Sequence, residues 1–84
     1  MVHKGELIIM NRQFLKQIVI DVIETYGPIT KKQIKNYTYD FAVKKGILTK
    51  EFVIAFGDIG WVFQNLKPSV QVNKINGKWL WESV

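Results

Sequence analysis

The spacing of hydrophobic and polar residues changes along the chain. Between residues 11 and 66, apolar residues recur every three or four positions, which is typical of amphipathic helices. From Val70 onward, apolar and polar residues alternate, as they do in a β-strand with one buried face. The pattern therefore predicts helices followed by strands.

The first predicted helix lies between Asn11, a favourable N-cap residue, and Gly27-Pro28, which stops it. Residues 1–10 are predicted to form a partly disordered N-terminal arm, and residues 11–84 a single domain. The residues expected on the buried face of this helix are Phe14, Leu15, Ile18, Val19, Val22, Ile23 and Tyr26.

A second helix is predicted to begin at a capping box, in which the Thr30 hydroxyl accepts a hydrogen bond from the amide of Gln33. It is predicted to end before Gly46, because glycine suits the left-handed position that follows a helix. The residues expected to face the core are Ile34, Tyr37, Thr38, Phe41 and Ala42.

A third helix is predicted to begin after Thr49, which can cap it. Its apolar repeat consists of Phe52, Phe56, Ile59, Phe63 and Leu66. Gly57 and Gly60 weaken this helix, because each glycine costs up to about 1 kcal/mol relative to alanine in a helix interior. Two alternatives stay open. The helix is continuous with close packing at its glycines, or it breaks and Asp58 caps a second piece.

A β-hairpin is predicted at the C-terminal end, because Asn76-Gly77 is the strongest short signal of a type I′ turn. With this turn, Ile75 lies opposite Lys78, and the pairing continues residue by residue away from the turn. Directly opposed residues share a face of the hairpin. The residues predicted to close over the helical core are Val70, Val72, Trp79 and Trp81.

The net charge of +5 is concentrated in two segments of the chain. Residues 27–50 carry six lysines and one aspartate, so their net charge of +5 equals that of the whole chain. Residues 67–78 carry a further +3, and residues 51–66 between these segments carry −2. Two basic blocks therefore flank an apolar, slightly acidic one, which indicates either a polyanionic partner or a solvated surface.

The composition argues against catalysis and against bound groups. Without cysteine there is no disulfide, no thiolate metal site and no thiol nucleophile. His3 is the only histidine, the carboxylates are scattered, and no glycine-rich loop could hold a phosphate. We therefore expect no enzyme activity, no catalytic residues, no metal, no cofactor and no small-molecule ligand.

The longest uninterrupted apolar run extends from Phe52 to Phe56, far short of the roughly 20 residues that a membrane helix needs. The N-terminus also lacks the hydrophobic stretch of a signal peptide. We therefore expect no membrane partner and a cytoplasmic location, in association with the nucleoid if the chain binds DNA.

The element order resembles that of winged helix-turn-helix domains: a helix, the short extended segment Pro28 to Thr30, two further helices and a hairpin. The resemblance covers roughly residues 11–83 and also includes the helix caps and the tryptophan-bearing hairpin. It implies an α+β, mostly α fold, with three helices and a two-stranded wing. In this superfamily the third helix usually enters the major groove, while the second helix and the wing contact the DNA backbone or minor groove.

By position, the resemblance implies a double-stranded DNA interface formed by both basic blocks and the third helix. Its residues would be Lys31, Lys32, Lys35, Lys50, Gln64, Asn65, Lys67, Lys74, Asn76 and Lys78. Lysines near a helix N-terminus oppose the helix dipole, so three of them in the second helix favour a phosphate partner. Arginine is the commonest reader of bases, and Arg12, the only one here, opens the first helix. We therefore expect phosphate binding with modest sequence preference, and a role in transcription regulation.

A protein partner or homodimer is the alternative function. Ile54 and Trp61 are seven residues apart on a face of the third helix that also carries Gly57. An exposed apolar pair there favours a protein interface, such as that of an accessory subunit in a replication, repair or transcription complex. If both side chains are buried instead, they belong to the core.

Overall fold

The structure of the protein is a computed structural model that describes the backbone of residues 4–84 and the side chains of residues 12–84. Over this range the fold is α+β and mostly helical, and it ends in a two-stranded antiparallel hairpin, which confirms the expected class. The elements are α1 (Lys4–Tyr26), α2 (Lys31–Lys44), α3 (Lys50–Gly57), α4 (Ile59–Gln64), β1 (Val70–Ile75) and β2 (Lys78–Ser83).

The first helix begins well before its predicted start. Because α1 extends from Lys4, Asn11 lies inside the helix, and the predicted cap is wrong. Residues 7–10 are all apolar and contain no helix breaker, and asparagine inside a helix costs less than about 1 kcal/mol. Of the predicted arm, residues 1–3 lie outside the described residues, and residues 4–10 belong to α1.

The middle of α1 forms the centre of the core. Its buried residues are Leu15, Ile18, Val19, Val22 and Ile23. The predicted stripe is wrong at both ends, because Phe14 and Tyr26 are about half exposed. The ring of Tyr26 instead stacks on that of Tyr37 in α2, with the ring centroids 4.1 Å apart. At 23 residues, α1 is longer than each of the elements that pack on it.

Both ends of α2 have the predicted geometry. The hydroxyl of Thr30 accepts from the amide of Gln33 at 3.2 Å, and the Gln33 side chain accepts from the Thr30 amide at 2.9 Å. Gly46 follows the helix with φ of +67°, and the amide of Ile47 donates to the carbonyl of Ala42 at 3.0 Å. The capping box and the glycine position are therefore confirmed.

The buried face of α2 is narrower than predicted. Ile34, Thr38 and Ala42 are buried, whereas Tyr37 and Phe41 are exposed. Positions three and four apart on a helix share a side, but only the central row of this side contacts the core. The hydroxyl of Thr38 has no hydrogen-bond partner among the described residues.

The third predicted helix breaks at Asp58 into α3 and α4. Asp58 does not cap α4 with its side chain, because its carboxylate forms an ion pair with Arg12 of α1. A Cβ atom added at Gly57 or Gly60 would meet no atom within 4 Å. Of the two alternatives, the break is therefore confirmed, while side-chain capping by Asp58 and close packing at the glycines are both wrong.

The hairpin has the predicted turn and register. Asn76 and Gly77 have positive φ values of 52° and 80°, as a type I′ turn requires. Ile75 lies opposite Lys78, and the antiparallel pairing continues to the ends of both strands. The hairpin therefore has one defined core-facing side.

The base of the hairpin covers the core, and its tip extends past it. Val70 is buried and Trp81 packs against the core, but Trp79 is 60% exposed, so its predicted burial is wrong. The reason is distance, because two residues along a strand advance about 6.6 Å. The backbone of Ile29, between α1 and α2, pairs with Trp81 through hydrogen bonds of 2.7 and 3.0 Å. The start of α2 is thereby attached to β2.

Candidate nucleic-acid interface

The lysines of the first basic block lie at the beginning of α2. Lys31 and Lys32 follow the Thr30 cap directly, Lys35 lies one turn further on, and all three are exposed. The capping box uses the amides of Thr30 and Gln33, and the amides of the first helical residues have no acceptor within the helix. This end of α2 therefore combines lysine ammonium groups with the positive end of the helix dipole.

Lys31 connects the start of α2 to the base of the hairpin. Its Nζ atom lies 4.9 Å from the ring centroid of Phe63 and 5.7 Å from that of Trp81. These two rings pack on each other with their centroids 5.0 Å apart. Aromatic faces attract an ammonium group, so Lys31 is held over the rings, while Lys32 and Lys35 make no cation–π contact within residues 12–84.

The second basic block continues along the hairpin. Lys74 lies on the same face as Trp79 and Trp81, and its Nζ atom is 5.6 Å from the ring centroid of Trp79. Lys78 lies on the opposite face, and Asn76 is exposed at the turn. On this face of the hairpin each tryptophan therefore lies near a lysine. Trp81, at the base, is near Lys31 of α2, and Trp79, at the tip, is near Lys74 of β1.

None of these lysines has a carboxylate partner among residues 12–84. The ion pairs in this range join Arg12 to Asp58, and Lys44 to Asp40 with the Nζ and Oδ2 atoms 3.0 Å apart. The hydrogen bond to Asp40 raises the pKa of Lys44 above its ordinary value. The lysines at the start of α2 and on the hairpin therefore keep an uncompensated positive charge.

The predicted contacts of the third helix are distributed over three elements. Lys50 begins α3, Gln64 ends α4, and Lys67 lies in the loop before β1. The side-chain amide of Asn65 donates to the carbonyl of Trp61 at 2.6 Å, so Asn65 is engaged in capping the C-terminal end of α4. These residues do not line a single helix that could enter a DNA groove.

The role of Arg12 was missed by the sequence reasoning. Its guanidinium pairs with Asp58 and lies 5.6 Å from the ring centroid of Trp61, so it joins α1 to the break between α3 and α4. The partners are far apart in sequence, and no local pattern connects them. Arg12 is consequently engaged within the protein rather than free to read bases.

The residues of the predicted protein interface do not share one exposed face. Ile54 and Gly57 are exposed on α3, but Trp61 is partly buried against the core. Ile54 is 51% exposed and its neighbour Val53 52% exposed, so α3 presents two adjacent apolar side chains to solvent. A groove of about 520 Å³ separates α3 from α2. Its lining residues are Lys35, Asn36, Tyr39, Asp40, Val43 and Phe56.

The part of the chain that the structure describes contains neither a metal-binding cluster nor a membrane-spanning helix. No group of three or more histidine, aspartate or glutamate side chains there could hold a metal ion. Of the helices in that part, none combines the length and the apolar character needed to cross a membrane. Comparison with known protein families, with curated proteins and with solved structures found no match to this chain.

Proposed function

We propose that this chain is a winged-helix protein that binds double-stranded DNA, mainly through its phosphates and with modest sequence preference. The observation that carries the proposal is the pairing of Ile29 with Trp81, which places the start of α2 beside the base of the hairpin. The first basic block thereby lies beside β2, which pairs with the strand that carries Lys74. The order of helix, bridged segment, helices and hairpin agrees with the winged-helix resemblance.

The charge on this surface supports a polyanionic partner. Five lysines carry it, namely Lys31, Lys32, Lys35, Lys74 and Lys78, and all are exposed. None has a carboxylate partner among the described residues. Phosphate contacts from lysine position a protein on a duplex without reading its sequence, and they supply most of the non-specific affinity.

The modest sequence preference follows from α3 and Arg12. The outer side of α3 carries Val53 and Ile54, which cannot donate hydrogen bonds to base edges. Arg12, the only arginine of the chain, is paired with Asp58. A surface rich in lysine and poor in base-reading groups fits binding to the DNA backbone.

The salt dependence of DNA binding tests this proposal. With five phosphates neutralised, the logarithm of the association constant should fall with the logarithm of salt concentration at a slope of about −4 to −5. A Lys32→Gln/Lys35→Gln variant should bind more weakly, and its slope should be shallower by about 1.8, because it lacks two contacts. Fluorescence anisotropy of a labelled blunt duplex between about 50 and 200 mM salt measures both slopes.

Lys44→Gln/Lys45→Gln is the matched control, because it removes the same charge at the other end of α2. Lys44 is twelve residues from Lys32, which corresponds to about 18 Å along the helix. The salt slope of the control variant should therefore stay much closer to that of wild-type protein. Equal effects of both pairs would contradict the assigned surface, and absence of binding at low salt would contradict DNA binding itself.

A second candidate function is protein interaction through α3, and the exposure of Ile54 is the observation that favours it. If α3 forms a homodimer, Ile54→Ser should shift the chain from dimer to monomer in sedimentation velocity. The control is Ile75→Ser, because Ile75 is comparably exposed on the hairpin, at 46%. Trp61 is unsuitable for this test, since its truncation would also disturb the core. A wild-type chain that stays monomeric at high concentration would exclude the homodimer and leave a different protein as the partner to test.

A further inference from the structure

Trp79 is exposed to solvent, although it lies on the same face of the hairpin as Trp81, which packs against the core. The indole is 60% exposed, although burial of a large aromatic side chain is strongly favourable. Val70 and Trp81 already close the core, and the Asn76-Gly77 turn already determines the strand register. Trp79 is therefore not needed to dock or align the hairpin.

The two faces of the hairpin differ in net charge, because the face opposite Trp79 carries both Lys78 and Glu82, whereas the face of Trp79 carries Lys74 and no carboxylate. On the face opposite Trp79, the carboxylate of Glu82 accepts from the side-chain amides of Gln71 and Asn73, at 3.0 and 3.1 Å. Glu82 is the only acidic residue of the two strands, and its carboxylate is held on that opposite face. The face that carries Trp79 has the ammonium group of Lys74 near the indole. An anionic ligand is therefore favoured on the tryptophan face.

We propose that Trp79 stacks on an unpaired nucleobase while Lys74 binds the adjoining phosphate. This inference rests on the nucleic-acid binding proposed above and specifies which part of the nucleic acid the hairpin binds. An exposed indole with an ammonium group over its ring offers one partner for a base and one for the adjoining phosphate, as they alternate along a single strand. Stacking on an indole tolerates any base, which agrees with a surface that lacks base-reading groups.

The stacked base must be unpaired. Inside a duplex the faces of the bases are covered by their neighbours, and the grooves expose only base edges. An indole face can stack on a base at a single-stranded end, at a junction or in a loop. The occupant of this face is thus a single-stranded segment, and the lysines at the start of α2 remain free to contact an adjacent duplex.

The test compares a blunt duplex with the same duplex that carries a short thymidine overhang. Wild-type protein should bind the overhang duplex more tightly. Trp79→Ala should weaken binding to the overhang duplex about 5- to 150-fold, the usual effect of losing one stacked base, and leave blunt-duplex affinity within about twofold. Ile75→Ala is the matched control, since Ile75 is exposed near the same turn on the opposite face and should change neither affinity.

A Trp79→Phe variant keeps an aromatic ring and provides a second measurement. Addition of the overhang duplex should quench the indole fluorescence of wild-type protein, and this quenching should be lost in Trp79→Phe while most of the affinity stays. Equal wild-type affinity for both duplexes, or an unchanged overhang preference in Trp79→Ala, would overturn the stacking but leave the proposed duplex binding in place. Failure of wild-type protein to bind either duplex would overturn both.

Discussion

Replacement of Gly27 by alanine is expected to lower the free energy of unfolding by about 3 kcal/mol. A Cβ atom at this position would lie 2.5 Å from the carbonyl oxygen of Ile23 and 3.0 Å from that of Trp81. Both are backbone atoms, so neither can rotate away as a side chain could. The alanine variant would have to distort the last turn of α1 around Ile23 and also move β2 away from it.

Thermal unfolding followed by circular dichroism measures the effect. In a domain of this size, about 3 kcal/mol corresponds to a decrease in melting temperature of roughly 12 to 24 °C. The matched control is Gly60→Ala, because a Cβ at Gly60 meets no atom within 4 Å, and alanine should stabilise α4 by up to about 1 kcal/mol. Equal melting temperatures for the two variants would show that β2 does not approach α1 as closely as described.

The features that the sequence predicted well depend on atoms only a few residues apart. The Thr49 hydroxyl accepts from the amide of Phe52 at 3.1 Å, as its position before α3 indicated. The capping box at Thr30 and the Asn76-Gly77 turn are of the same kind. Each is decided by local hydrogen bonds and allowed backbone angles, so the chain beyond it has little influence.

Features that depend on distant residues could not be predicted. The bridge between Ile29 and Trp81 and the ion pair between Arg12 and Asp58 join parts of the chain that no local pattern relates. Alternation assigned Trp79 to the correct face of the hairpin but did not show where the helical core ends. A side chain can therefore lie on the core-facing side and still remain in solvent.

The candidate interface was predicted only in part. Charge along the chain identified both basic blocks, and the structure shows that lysines of both are exposed. The charge pattern did not indicate that Lys31 lies over the rings of Phe63 and Trp81, or that the Asn65 side chain donates to the Trp61 carbonyl at the end of α4. The first of these contacts needs the tertiary fold, and the second needs the break at Asp58, which the sequence left open.

Truncation of the two hairpin tryptophans should have very different effects on stability. Trp81→Ala is expected to lower the free energy of unfolding by about 3 kcal/mol, at the low end for tryptophan because part of the ring is exposed. Its indole packs on Phe63 and lies under the ammonium group of Lys31. Trp79→Ala should cost less than about 1 kcal/mol, because it removes mainly the contact with Lys74.

Urea unfolding followed by far-ultraviolet circular dichroism compares the two variants without relying on tryptophan fluorescence. A Trp81→Ala variant as stable as Trp79→Ala would contradict the described packing at the hairpin base.

Lys31 keeps its charge when the Trp81 ring is removed, so the salt slope of folded Trp81→Ala on blunt duplex should match that of wild type. Trp79→Ala should instead preserve stability and lose the overhang preference. Comparison of the two variants therefore distinguishes a tryptophan that stabilises the fold from one that contacts nucleic acid.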